Sequence, residues 1–121
     1  QVSLLTTDAR RAEAWYRDVL GLMHLFTFGP LVFFDCEGTR LYIRQVGADE
    51  WRASSTLYFT VPEIGTAHAA LVERGVTFRA APHMIHRHDD GTEEWMAFFD
   101  DPDGNTLAIM AGVAGGAPVD V

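Results

Sequence analysis

What most constrains this chain is that its pattern of strand and helix signals runs through once and then starts again. The first stretch, "QVSLLTT", alternates and is rich in strand formers. Asp8 then offers a helix N-cap. In "ARRAEAWYRDVLGL", Ala12, Trp15, Tyr16, Val19 and Leu20 fall at helical spacing on one stripe, and Gly21 suits a helix stop. Three strand-like pieces follow, "LMHLFTF", "LVFFDC" and "TRLYIRQV", separated by Gly-Pro and Glu-Gly turn signals. The second pass begins with "SSTLYFTV". Pro62 can occupy a first helical turn, and "EIGTAHAALVERG" carries Ile64, Ala67 and Leu71 on one side up to Gly75. The pieces "VTFRA", "EEWMAFF" and "NTLAIM" complete it. Asp8 matches Pro62 and Gly21 matches Gly75 at one shared offset, 54 residues. The chain therefore reads βαβββ twice, and internal duplication is the economical explanation. We expect one domain over 1–121, with a first unit at 1–50, a second at 51–111, and a small-residue, Gly-rich mobile tail at 112–121.

Composition removes several classes of function. The formal charge is −8, with 9 Lys+Arg against 17 Asp+Glu and no basic run, so nucleic acid and anionic membrane are not expected partners. The apolar runs are too short to span a bilayer. The single cysteine, Cys36, allows no internal disulfide and suits a reducing, cytoplasmic setting. It has no basic neighbour in sequence to activate it, so a structural thiol is expected. No Ser-His-Asp ordering, Gly-rich phosphate loop or CxxC is present, so hydrolase, nucleotide-binding and dithiol redox chemistry lack support.

The paired βαβββ pattern, with "AEAWYRDVLGL" after the first strand and "FFDDPDGNTLAIM" near the end, resembles the vicinal oxygen chelate superfamily. That group includes glyoxalase I, fosfomycin and bleomycin resistance proteins, and extradiol dioxygenases. The resemblance covers nearly the whole chain. It implies an α+β fold of two curved mixed sheets, or half-barrels, with helices on the outer face and a ligand on the concave face. It also implies a homodimer. It does not select an activity, because the family holds metalloenzymes and pure binding proteins.

The acids of "FFDDPDGN" read as a turn. Pro102 presets φ, Asp101 can bond back to the backbone and Gly104 ends it. A calcium loop would place Gly where Thr106 stands and a closing Glu where Gly112 stands. The acids are expected to form a solvated corner.

In the family's metalloenzymes His, Glu and sometimes Gln from the first and fourth strands of each unit hold a divalent metal. Carried over, those positions fall on Gln1, Tyr42, Thr56 and Ala108. Gln1 alone is a plausible ligand, and an amide is a weak one. Alternation puts Gln1, Ser3 and Leu5 on one face, and likewise Tyr42 with Arg44, Thr56 with Tyr58 and Thr60, and Thr106 with Ala108 and Met110. The expected ligand set is Gln1, Ser3, Tyr42, Arg44, Thr56, Tyr58, Trp95 and Ala108, an aromatic, hydroxyl-rich surface whose one cation is Arg44. The same hydroxyls also fit half-buried strand positions with no ligand. Either Trp95, or Met96 and Phe98, must face the cavity; a bulge would exchange them.

The expected partner is a small organic molecule, aromatic or drug-like, with no cofactor. The alternative is a superfamily lyase, isomerase or dioxygenase using a divalent metal at a rearranged site. His86 and His88, two apart on a strand with Glu93 and Glu94 across the "DDG" turn, are its candidate ligands. A solvated or substrate-contacting hairpin is the favoured reading of these two histidines. Trp15 is expected in the core, and Trp51 lies in the linker between units.

Overall fold

The computed structural model describes residues 1–114. Its elements run β1 (Val2–Thr6), α1 (Ala9–Ala14) continuing into a π turn (Trp15–Val19), β2 (Met23–Phe28), β3 (Leu31–Cys36) and β4 (Thr39–Gln45). The series then repeats as β5 (Leu57–Thr60), α2 (Ile64–Glu73), β6 (His83–Arg87), β7 (Glu93–Asp100) and β8 (Thr106–Val113). Two four-stranded mixed sheets result, ordered β1-β4-β3-β2 and β5-β8-β7-β6. In each, the strand before the helix pairs in parallel with the last strand, β1 with β4 and β5 with β8. The doubled βαβββ reading is therefore the observed topology. By compactness the chain divides into one unit of 1–55 with 100–106 and another of 56–99 with 107 onward.

In the first unit, alternation puts Leu4, Val32, Phe34, Leu41 and Ile43 on the covered face, buried together with Ala9, Ala12 and Tyr16 of the helical segment. The Tyr16 ring packs against Phe34 at 5.7 Å between centroids, tilted by 38°. Asp8 is the N-cap, extended at φ −154, and its carboxylate accepts from the Arg11 amide. In the second unit Glu63 is the cap, so Pro62 precedes the helix instead of occupying its first turn; the Glu63 carboxylate accepts from the Gly65 and Thr66 amides. Ile64, Leu71 and Val76 are buried there with Ala97, Phe99, Leu107, Ile109 and Ala111.

The two helices end on matched glycines at positive φ, Gly21 (86°) and Gly75 (107°). Their caps are Asp8 and Glu63, so the first helical segment holds one residue more than the second. The π turn absorbs it, with the Leu20 amide bonding five residues back to the Trp15 carbonyl. This shifts the buried stripe. Tyr16 is fully buried, whereas Trp15, expected in the core, is half-buried.

Two strand expectations shift. "VTFRA" supplies only an isolated bridge, Phe78 to Phe99, and the strand proper is β6, paired with β7. Val76 and Phe78 give the stretch its strand-like alternation, but Val76 is spent covering α2 and Pro82 cannot donate to a ladder. At the end of the chain β8 continues through Val113, because Ala111 is still buried; the rest of the expected tail, 115–121, lies outside the described residues.

The acidic turn is a turn, but not a solvated corner. Gly104 sits at φ 98, its amide bonded to the Asp101 carbonyl. The Asp101 carboxylate accepts from the Asp103 and Asn105 amides through Oδ1, at 2.9 and 2.8 Å, and from the Tyr16 hydroxyl (2.6 Å) and Asn105 Nδ2 (2.8 Å) through Oδ2. With both oxygens occupied by donors, it has no lone pair left for calcium. Asn105 Nδ2 also reaches the Leu5 carbonyl at 2.9 Å. The Asp103 side chain, only 2% exposed, accepts from Thr6 Oγ1 (2.5 Å), Thr7 N (2.8 Å), Thr7 Oγ1 (2.7 Å) and Arg11 Nη2 (2.6 Å). Burial works against the Asp103 charge, but the hydrogen bonds from Thr6 and Thr7 and the Arg11 guanidinium outweigh it and hold its pKa below the usual range. Burial, reinforced by Asp101, pushes the Tyr16 hydroxyl well above the ordinary tyrosine value. The turn thus fastens to the β1–α1 junction and fixes where the far face of β1 is presented.

Candidate functional site: the open sheet faces

Each sheet has a second face, away from its buried side chains. On the first sheet the register sets Phe26 opposite Phe33, Phe33 opposite Tyr42 and Tyr42 opposite Ser3. The three rings form a stacked ladder across the strands, with centroids 4.5 Å apart for Phe26–Phe33 and 5.6 Å for Phe33–Tyr42, and planes within 26° and 24°. Arg40 lies over it, its guanidinium carbon 6.0 Å from the Phe26 centroid and 5.5 Å from that of Phe33. Arg44, two residues beyond Tyr42, stands opposite Leu5 on one side and Leu31 on the other. Gln1 and Ser3 are exposed at the start of this face. The face therefore holds Gln1, Ser3, Tyr42 and Arg44 together, as expected, but Arg44 is not its one cation.

Phe26, Phe33 and Arg40 were not singled out in the sequence. Arg40 was legible, since it alternates with Tyr42 and Arg44 along β4. Phe26 was not, because the register slips between His24 and Phe26 and reverses the face that simple alternation gives. Phe26 is 46% exposed and Phe28 73%.

On the second sheet Tyr58 stands opposite Ala108 and Thr60 opposite Met110, and Thr56 precedes the strand at the same parity. Tyr58 meets Phe98 edge-on at 6.0 Å, and the His83 ring lies 6.5 Å from Phe98. That contact settles the facing of β7: Met96 and Phe98 share the Tyr58 face, while Trp95 alternates with Ala97 and Phe99 on the other. Trp95 instead donates through Nε1 to Glu93 Oε1 at 2.9 Å. The irregularity lies in the partner strand, between Met84 and His86, so β7 keeps its alternation. Ala108 is fully buried and presents nothing to a ligand.

The remaining candidates have other employment. His86 and His88 meet edge-on at 4.7 Å, and His88 Nε2 lies 2.9 Å from Glu94 Oε2. The His68 ring packs on Phe78 at 4.4 Å. His24 Nε2 pairs with Thr27 Oγ1 at 2.8 Å, beside Glu13. Trp51 folds back to donate to the Leu5 carbonyl at 3.0 Å. Burial, with Asp35 adjacent, pushes the Cys36 thiol up, away from nucleophilic use. Among the described residues no group of three or more His, Cys, Asp or Glu side chains is placed to hold a metal ion.

The sequence profile of the glyoxalase/bleomycin resistance protein/dioxygenase superfamily matches residues 1–109. The chain belongs to this superfamily. Solved structures share its fold at low identity. An integron cassette protein from the mobile metagenome of V. cholerae superposes with a TM-score of 0.72 at 20% identity, covering 91% of each chain. A lactoylglutathione lyase from Agrobacterium tumefaciens gives 0.67 at 22%, covering 90% of this chain and 89% of that one. A superfamily protein from Alicyclobacillus acidocaldarius gives 0.74 at 17%, covering 90% and 86%. No curated protein matches the sequence.

The superfamily's metalloenzymes raise the question of whether these residues fit a divalent ion. They do not. Gln1 and Tyr42 lie on the open face of one sheet and Thr56 and Ala108 at the matching places of the other, which offers an amide, a phenol, a hydroxyl and a methyl group. Divalent transition ions are held by imidazole, thiolate or carboxylate, and a methyl group donates nothing.

Proposed function

We propose that this superfamily member binds an aromatic or drug-like small molecule on an open sheet face without a metal, as a cytoplasmic homodimer. The observation that carries the reading is the donor set at the family's metal positions, which lacks any imidazole or carboxylate, on faces that keep their aromatic rings and cations. A surface of rings, hydroxyls and a few guanidinium groups suits a flat organic molecule with polar substituents. Among the described residues no helix is long and apolar enough to cross a membrane, and a half-buried single thiol is compatible with a reducing compartment. Exposed Phe26, Phe28 and Tyr58 leave apolar surface for a second copy to cover.

The test is a fluorescence-quenching screen of aromatic compounds against the protein, which has three tryptophans. Saturable binding of one chemical series at micromolar concentration is expected. No binder across a broad aromatic library would overturn the reading. A transition metal at one equivalent per chain, released on replacing His86 and His88, would replace it with the metalloenzyme alternative.

A further inference from the structure

The ladder on the first sheet stops one strand short. Rings stand on β2, β3 and β4 in the persons of Phe26, Phe33 and Tyr42, but on β1 the residue opposite Tyr42 is Ser3. A strand-to-strand step is about 4.8 Å, close to the spacing at which aromatic rings stack. A hydroxymethyl group instead of a ring at that step, on the edge strand, leaves a one-walled slot over Ser3, beside Tyr42. Ser3 is exposed, so the slot is open. Its floor neighbours along β1 are Gln1 and Leu5, and Arg44 stands on the diagonal, next to Leu5.

Resting on the reading above, we propose that this slot is the ligand subsite. It takes a planar aromatic ring as the fourth member of the stack, with an anionic substituent directed at Arg44. A ring here would meet Tyr42 at the separations the ladder already uses, 4.5 and 5.6 Å. Arg40 is already laid over Phe33 and Phe26, two and three strands from β1, so Arg44 is the guanidinium at the slot. A carboxylate or phenolate offers it a charge-assisted hydrogen bond; a neutral amide of the same shape offers only a weaker, uncharged one. The second sheet has no such slot, since Tyr58 meets Phe98 edge-on.

The experiment titrates 2-naphthoate and its neutral counterpart 2-naphthamide into the wild type, Ser3→Phe, Arg44→Ala and Tyr58→Ala, with circular dichroism confirming the fold of each. The wild type should prefer the naphthoate at least fivefold. Ser3→Phe fills the slot and should weaken both probes more than tenfold. Arg44→Ala should bring the two probes within twofold of each other. Equal binding by wild type and Ser3→Phe would overturn the slot, and loss of binding only in Tyr58→Ala would move the site to the second sheet while the broader reading stands. Failure of both probes to bind the wild type, with other aromatic series binding in the screen, rejects the anionic ligand class alone.

Discussion

Asp103 was expected to lie in a solvated corner of the turn. The structure makes it one of the most heavily bonded side chains in the first unit. Replacing it with Ala removes the acceptor for Thr6 Oγ1, Thr7 N, Thr7 Oγ1 and Arg11 Nη2. The Arg11 pair is 44% exposed on its cationic side and contributes about 0.2–1 kcal/mol. Thr6 is fully buried, and its hydroxyl would retain only its bonds with the Asp8 backbone. A bond to a charged acceptor is worth about 1.5–3 kcal/mol, and the losses within one cluster are not additive, so the net cost should be about 2–4 kcal/mol. Asp103→Asn keeps one acceptor oxygen and should cost about half as much. Urea unfolding followed by tryptophan fluorescence reads both, as a shifted midpoint at unchanged slope. The sign with pH follows from the depressed pKa of Asp103. Its stabilisation is full above the unfolded carboxyl value of about 3.9 and is lost as pH falls through the lower folded value. The gap between wild type and Asp103→Asn should therefore close in acid. A cost under about 0.5 kcal/mol for Asp103→Ala, the level of an exposed turn residue, would refute the account of the turn.

Three other outcomes follow from the same geometry. Tyr16→Phe leaves Asp101 short of its hydroxyl donor and should destabilise by about 1–3 kcal/mol in the same urea assay. Because burial raises the Tyr16 pKa, its ionisation, followed by ultraviolet absorbance, should appear only together with alkaline unfolding. Light scattering should give twice the 13.4 kDa chain mass at micromolar concentration, and a monomer throughout that range would reject the homodimer.

What could be read from the sequence was whatever depends on local periodicity. The βαβββ repeat, the Asp8 cap, the two glycine stops and the faces of β1, β4, β5 and β8 all rest on spacing within a few residues. What could not be read depends on partners far along the chain. Asp101 and Asp103 look like solvent-facing acids because nothing near them in sequence predicts Tyr16, Thr6, Thr7 and Arg11 as donors. Matching Asp8 to Pro62 concealed the extra residue in the first helical segment, which shows only once Glu63 is seen to cap α2. The face of Phe26 turned on a one-residue slip in β2, and that of Trp95 on which strand of its hairpin carried the irregularity. Alternation along β4 puts Arg40 on the same face as Tyr42 and Arg44, so this cation is legible in the sequence.

The central claim is that ligand binding on these faces needs no metal. The direct measurement is the affinity of the untagged protein for its tightest ligand from the aromatic screen, before and after exhaustive chelation, with metal content determined on the same samples. The account predicts less than 0.1 transition-metal equivalent per chain, roughly, and an affinity unchanged within about twofold, since none of Gln1, Tyr42, Thr56 and Ala108 offers an imidazole, thiolate or carboxylate. Binding that disappears on chelation and returns with one equivalent of zinc, iron or manganese would contradict it.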